Sequence, residues 1–209
     1  MKTPDIRRAQ FFIQATMALA LSFLVPVSFS AQNENPGAEN LPFSLKVVPE
    51  NGAFAKYKAI GTQQYVCLPK GEAFAWVLFG PQATLFDRQG NQVATHFLSG
   101  NPREAQTPRP TWQSSQDASA VWGNPIASST DPQYVASGAI PWLLLRAVGT
   151  QAGPKGGDSL KQTTYIQRIN TTGGAAPASG CQQSADVGSK ALVPYTADYV
   201  FYRSAGFGK

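Results

Sequence analysis

The sequence is poor in charged and titratable side chains. Asp, Glu, Lys and Arg make up 14% of its 209 residues, whereas an average globular chain has about 25%. It contains one histidine, His96, which excludes the multi-histidine sites of most catalytic zinc and copper enzymes. The acidic residues are dispersed and form no DxDxDG calcium loop. We therefore expect no metal site.

Nucleotide-binding motifs and clusters of basic residues are also missing. Neither GxGxxG nor GxxxxGK[ST] occurs, so no cofactor is expected. The formal net charge is +5, but part of it lies in the first thirty residues, and the remaining Lys and Arg are scattered. Nucleic-acid-binding proteins concentrate basic residues on one face or in one run. Nucleic acid is therefore not an expected partner.

An apolar stretch over Phe11–Val25 stands near the amino terminus. Basic residues precede it, and the small residues Ser28 and Ser30 frame a cleavage point before Ala31. This layout predicts a secretory signal peptide over residues 1–30. The alternative is an uncleaved membrane anchor, which needs about 20 apolar residues. We expect a secreted or periplasmic protein that has no transmembrane anchor after signal cleavage.

The chain has two cysteines, Cys67 and Cys181. Export would permit their oxidation, so we predict a disulfide between them. The alternatives are two buried free thiols or two metal ligands. The cysteines have no CxxC spacing, which makes the metal signal weak.

After residue 30, short apolar runs alternate with turn residues, and no stretch of twelve residues keeps a helical period. The chain has 19 glycines and 16 prolines, which suits strands separated by turns. We predict an all-β domain over residues 42–209, preceded by a disordered leader over residues 31–41. The domain is expected to be a β-sandwich or barrel of about eight to ten strands with long Gly/Pro-rich loops.

Three segments carry more specific expectations. Ala83–Phe86 and Val93–Leu98 flank a turn and are predicted to form a hairpin. Phe74–Phe79 is almost entirely apolar, which is typical of a strand buried on both faces. Residues 99–111 contain three prolines and are expected to form a long surface loop.

His96 is a weak candidate for a catalytic base. It shares one face of its predicted strand with Ala94 and Leu98. Catalysis would also need a nucleophile and an orienting carboxylate. Asp117 and Asp198 are candidates for that carboxylate, but no serine lies in a GxSxG motif. The alternative is a structural histidine that bonds a backbone carbonyl.

Trp112 and Trp122 are the candidates for ligand binding. Each is predicted where a loop meets a short strand, a position that often carries function. Their flat faces could stack on a sugar ring or on an apolar ligand. The alternative is that both cap the edges of the core. A partly buried Asp198–Arg168 ion pair is also plausible, and it would be structural.

Ordered motifs across residues 42–202 resemble the secreted bacterial and fungal family called domain of unknown function 3455. The motifs are Gly61-x-Gln63-x-Tyr65-x-Cys67, Trp76-x4-Pro81-x-Ala83-x-Leu85, His96-Phe97, Pro110-Thr111-Trp112, Ile140-Pro141-Trp142-Leu143-Leu144, Tyr165-Ile166-Gln167-Arg168, Thr171-x-Gly173-Gly174-x-x-Pro177, Cys181 and Tyr195-Thr196-Ala197-Asp198-Tyr199. The resemblance implies no catalytic residues, because the family has no established activity. Its members usually carry Asp-Gly-Ser where this chain has Asp117-Ala118-Ser119.

Three functional hypotheses follow. The leading one is non-catalytic binding of a carbohydrate or a small apolar ligand. The second is a hydrolase or lyase that uses His96 with an aspartate. The third is a structural or stress-related envelope protein that binds other proteins.

Overall fold

The computed structural model describes residues 40–206 as eight strands and three short 3-10 helices. The predicted signal peptide and nearly all of the predicted leader lie outside this range. Leu41, within the predicted leader, is buried together with Leu45. No helix in the described part of the chain has the length and apolar character needed to cross a membrane.

The strands form one closed antiparallel barrel in sequence order, in which the last strand pairs with the first. The all-β prediction is confirmed, and closure decides for a barrel over a sandwich. The strands are β1 (Asn51–Lys70), β2 (Ala73–Phe86), β3 (Gln92–Asn101), β4 (Thr107–Ser114), β5 (Ala120–Ser129), β6 (Trp142–Gln151), β7 (Tyr165–Gly173) and β8 (Lys190–Ser204).

Side chains fill the barrel interior. An eight-stranded barrel is just wide enough for this, and alternation of small and large residues lets the side chains fit. Large aromatic rings from β4 and β8 occupy the centre, and the strands around them contribute alanines. The buried residues in this set are Trp112, Tyr199, Phe201, Ala59, Ala83, Ala94 and Ala197.

A second apolar cluster lies outside the barrel, where the segment before β1 packs on β6, β7 and β8. Leu45 packs there with Trp142 and Val200. Buried Gln167 anchors the segment, because its Nε2 donates to the Leu45 carbonyl at 2.6 Å and its Oε1 accepts from the Tyr202 hydroxyl at 2.6 Å.

The β1–β2 hairpin extends past the rest of the barrel. β2 pairs with β1 along its whole length, whereas it pairs with β3 only from Gln82 onward. The expectation that Phe74–Phe79 is buried on both faces is therefore wrong: Leu78 is 52% exposed and Phe79 is 69% exposed. The apolar run belongs to the part of β2 that has no partner on its second side.

The predicted disulfide is present and braces this hairpin. Cys67 on β1 is joined to Cys181 in the β7–β8 connection, with 5.5 Å between their Cα atoms. The indole of Trp76 donates to the Ser179 carbonyl at 2.9 Å, which holds the same connection against β2.

Residues 99–111 do not form the expected long loop. β3 continues to Asn101, a 3-10 helix follows, and β4 begins at Thr107. Pro108 and Pro110 lie within β4, opposite β3 residues. β4 pairs with β5 only from Thr111 onward. Proline is tolerated in a strand where its missing N–H has no partner, which the sequence pattern alone does not reveal.

Candidate functional site

His96 and Trp112 meet inside the barrel. They are directly opposite each other in the β3–β4 ladder, so their side chains point to the same face. The rings stack with centroids 4.2 Å apart and planes 8° apart. Gly123 makes room for the indole, because a Cβ there would lie 3.1 Å from Trp112 Cζ3.

The His96 imidazole is neutral and fixed in one tautomer. Its Nδ1 donates to the Thr111 carbonyl at 2.9 Å, which matches the alternative of a structural histidine bonded to the backbone. The residue is 3% exposed. Burial is the main cause that lowers the pKa of His96 to about 3, because the interior disfavours the charged ring.

Two tyrosines from β8 extend this arrangement. The Tyr199 ring meets His96 and Trp112 edge-on, at centroid distances of 5.1 and 5.3 Å. Its hydroxyl lies 3.4 Å from the Tyr195 hydroxyl. Burial raises the pKa of both phenols, so both hydroxyls keep their protons and one of them donates to the other.

Arg168 brings a positive charge to these rings. It is opposite Tyr199 in the β7–β8 ladder, and its Nε and Nη2 donate to the Pro141 carbonyl at 3.1 and 2.9 Å. Burial lowers the pKa of His96 and the Arg168 charge lowers it further. Among residues 40–206 no carboxylate pairs with this half-buried cation.

Two buried donors close to these side chains lack a hydrogen-bond partner within the described range: the Nε2 of Gln63 and the Nε1 of Trp112. Gln63 is 2% exposed. Its Cγ lies beside Gly174, as does the Cβ of Tyr195. We call His96, Trp112, Arg168, Tyr195, Tyr199 and Gln63 the interior cluster.

Exposed apolar side chains border the interior cluster at one end of the barrel. Leu98 is two residues after His96 on β3 and is 41% exposed. Leu78 is opposite Tyr65, whose hydroxyl donates to the Gly174 carbonyl at 2.7 Å. At this end of the barrel, the exposed side chains of Leu78 and Leu98 therefore lie above the unpartnered donors of the interior cluster and the Arg168 cation.

A family model described as "Protein of unknown function (DUF3455)" matches residues 49–203. The chain belongs to the DUF3455 family. The matched region contains β1 to β7 entirely and nearly all of β8, and it includes the whole interior cluster. No curated protein and no solved structure matches the chain.

All six members of the interior cluster lie within the motifs that carry the DUF3455 resemblance. Sequence reasoning found His96 and Trp112 as separate candidates and saw Arg168 only as a structural residue. It missed Gln63, Tyr195 and Tyr199 as site residues. The strict alternation of Tyr195, Ala197 and Tyr199 along β8 was the available signal for two tyrosines on one inward face.

The second predicted tryptophan of this DUF3455 chain lies elsewhere. Trp122 is opposite Thr111, the neighbour of Trp112, so the two indoles lie on opposite faces of the β4–β5 pair. Trp122 is 6% exposed, and its Nε1 donates to the Ser99 hydroxyl at 3.0 Å. The two rings therefore do not form one stacking platform.

Asp117 links the β4–β5 turn to the β6–β7 connection through hydrogen bonds. One carboxylate oxygen accepts from the Ser119 backbone N–H at 2.9 Å and from the Ser119 hydroxyl at 2.7 Å, and the other accepts from the Ser159 N–H at 2.9 Å. Burial alone would raise the pKa of Asp117, but the hydrogen bonds from Ser159 and Ser119 hold it well below the usual value.

Asp198 faces away from the interior cluster. Its oxygens lie 3.4 Å from Lys56 Nζ and 3.8 Å from Lys58 Nζ, and it accepts from Asn170. The suggested Asp198–Arg168 pair is therefore wrong, because Arg168 is opposite Tyr199 and Asp198 is opposite Ile169.

The structure does not bring His96, Asp117 and Asp198 into contact with one another, since each has the separate partners described above. Within residues 40–206 no three His, Cys, Asp or Glu side chains lie close enough together to hold a metal ion.

Proposed function

We propose that this DUF3455 domain is a non-catalytic binding protein that takes a small amphipathic ligand at the barrel end bordered by Leu78 and Leu98. One observation carries the proposal: the half-buried Arg168 guanidinium has no acidic partner among the described residues and lies close to buried donors that also lack partners. A buried donor without an acceptor costs about 1–3 kcal/mol, so the two unpartnered donors favour a ligand that supplies acceptors.

The ligand class follows from the two kinds of side chain at this end of the barrel, the charged Arg168 and the apolar leucines. A carboxylate suits Arg168, because guanidinium–carboxylate hydrogen bonds are charge-assisted and often bidentate. An apolar body suits the exposed side chains of Leu78 and Leu98, which would leave water on binding. We therefore favour a small apolar molecule with one carboxylate over a neutral carbohydrate.

Binding without catalysis fits the chemistry of His96. A general base needs a pKa near the working pH and access to its substrate, whereas this ring is buried and has a pKa of about 3. The two aspartates that could have oriented it, Asp117 and Asp198, are engaged with other residues.

An exported location belongs to the same proposal. The disulfide between Cys67 and Cys181 supports it, because structural disulfides persist mainly in oxidising compartments. The amino-terminal pattern over residues 1–30 is of the secretory type. Amino-terminal sequencing of the protein recovered from the medium or periplasm would test cleavage before Ala31.

The ligand test uses calorimetry on the purified oxidised protein, with hexanoate as the probe and hexanol as its uncharged analogue. We expect hexanoate to bind, and a ligand at a hundred times its dissociation constant adds about 2.7 kcal/mol to stability, which is several degrees in Tm. Arg168→Met should abolish this binding. Arg88→Met, in the exposed β2–β3 turn, is the matched control and should retain it.

Gln63→Leu provides a second test, because it removes a buried amide without removing the charge. It should weaken hexanoate binding while the protein stays folded. Absence of hexanoate binding by the folded wild type would overturn the proposal. Equal binding of hexanol and hexanoate would remove the role given to Arg168.

A further inference from the structure

A second opening lies on the side of the barrel, between β6 and β7. These strands pair only over Leu143–Arg146 and Tyr165–Arg168, and the last backbone bond joins the Ala147 N–H to the Thr164 carbonyl at 2.8 Å. Beyond it β6 continues to Gln151 with no β7 partner. A groove of about 810 Å³ occupies this gap, in the upper part of the range for organic ligands.

Positive charge dominates the lining of this groove. Arg103, Arg146 and Lys161 contribute three cations, and Asp158 contributes the one acid of the lining. All three cations are exposed, and none forms an ion pair with another residue of the described range. Because they come from the β3–β4 connection, from β6 and from the β6–β7 connection, the charges are spread along the groove.

Thr163, which also lines the groove, provides an independent observation in favour of a ligand. It is 4% exposed, yet its hydroxyl has no partner among residues 40–206. The neighbouring hydroxyl of Thr164 is satisfied, since it donates to the Asn51 side chain at 2.6 Å. Buried hydroxyls in folded proteins normally have a partner, and a ligand atom that reaches this one would supply it.

We propose that this groove binds an anionic oligosaccharide, a chain of sugar rings that carry carboxylates. Three spaced cations suit several spaced charges better than a single small anion. Gln162, the Asn51 Nδ2 and the Thr163 hydroxyl supply the polar groups that sugar hydroxyls require, and the edge of β6 that has no β7 partner adds backbone groups. The site is separate from the interior cluster and does not depend on it.

The test measures the affinity of the oxidised protein for an oligogalacturonide and for its methyl-esterified, uncharged form. We expect binding of the charged form only, with an affinity that falls as salt rises, because solvent-exposed charges are screened. The double variant Arg146→Gln/Lys161→Gln should bind at least tenfold more weakly. Lys70→Gln, at the exposed end of the β1–β2 hairpin, is the matched control and should bind as the wild type does.

Thr163→Val separates a binding role from a structural one. It removes the unpartnered hydroxyl and nearly preserves shape, so Tm should stay the same or rise while the affinity falls severalfold. Arg168→Met should leave oligogalacturonide binding intact, which keeps this test distinct from the hexanoate test. The proposal is overturned by equal binding of the esterified form, by polyglutamate or a single-stranded oligonucleotide binding as tightly, or by no binding at all.

Discussion

The His96 imidazole and the Trp112 indole stack almost parallel, 4.2 Å apart, in the centre of a closed barrel. Both rings are fully enclosed by strands, so a proton added to His96 would place a charge among aromatic side chains. Burial therefore lowers the pKa of His96 to about 3. The sequence leaves open whether His96 is catalytic or structural. In the folded barrel the ring is difficult to protonate, and unfolding removes that restriction.

His96 should make the domain less stable in mild acid. An unfolded histidine has a pKa near 6.5, so between pH 6.5 and about 3 the unfolded chain binds a proton that the folded chain does not. The free energy of unfolding should then fall as the pH falls through this window, by up to about 1.4 kcal/mol per unit. Denaturant titrations at pH 7, 6 and 5 measure this above the range where carboxylates titrate.

The control for this prediction is His96→Gln, whose amide can still donate to the Thr111 carbonyl but cannot ionise. Its stability should change much less between pH 7 and pH 5 than that of the wild type. Equal pH dependence in the two proteins would show that His96 is not the titrating group.

Ala118→Gly should stabilise the domain. Ala118 has φ 60° in the β4–β5 turn, a left-handed conformation that costs an L-residue about 1–2 kcal/mol and glycine almost nothing. The DUF3455 resemblance gives glycine at this position. We expect a gain of about 1 kcal/mol in thermal or denaturant unfolding.

Ala73→Gly is the matched control, because Ala73 is exposed in the extended backbone of β2. It should destabilise slightly, since glycine adds freedom to the unfolded chain. A loss of stability in Ala118→Gly would mean that the Ala118 methyl makes a contribution larger than the backbone strain.

The strands and the disulfide could be predicted because their signals are local. Turn residues bound the short apolar runs, and two cysteines in one chain have one possible intramolecular pairing. Phe74–Phe79 could not be placed in the same way. An apolar run of this kind is compatible with a strand that is buried on both faces and with one that is exposed to solvent. Only the β2–β3 register shows that β3 does not pair with this segment of β2.

The interior cluster was harder to foresee for a related reason. Which residues meet inside a barrel depends on the stagger between strands that are distant in sequence. Asp198 and Tyr199 are neighbours on β8 and point to opposite faces, so the β7–β8 register decides which of the two lies opposite Arg168. Gln63 lies in one of the family motifs, but its residue type does not predict burial, because a glutamine in a strand ordinarily faces solvent.

Removing the disulfide should cost a large part of the stability. The bridge spans 114 residues, and the chain-entropy model gives up to about 4.7 kcal/mol for a loop of this length. Cys67→Ala/Cys181→Ala should therefore melt well below the oxidised wild type. A reductant should lower the Tm of the wild type toward that of the variant and leave the variant unchanged. A Tm in the variant equal to that of the wild type would contradict this account.

Asp117 and Asp198, the two aspartates that the sequence offers as catalytic candidates, should differ sharply in their structural importance. Asp117→Asn replaces an acceptor oxygen by an amide, which loses the bond from the Ser159 N–H or those from Ser119. Hydrogen bonds to a charged group contribute about 1.5–3 kcal/mol, so we expect a loss near 2 kcal/mol and loosening of the loop that carries Ser159.

Asp198→Asn is the matched comparison, because it removes a similar charge from ion pairs whose lysine partners, Lys56 and Lys58, reach solvent. Such pairs contribute about 0–1 kcal/mol, so its unfolding curve should stay close to that of the wild type. Hydrogen exchange at the Ser159 amide should accelerate in Asp117→Asn alone. Equal losses in both variants would mean that overall charge, and not the fastening of two loops, explains the effect of Asp117.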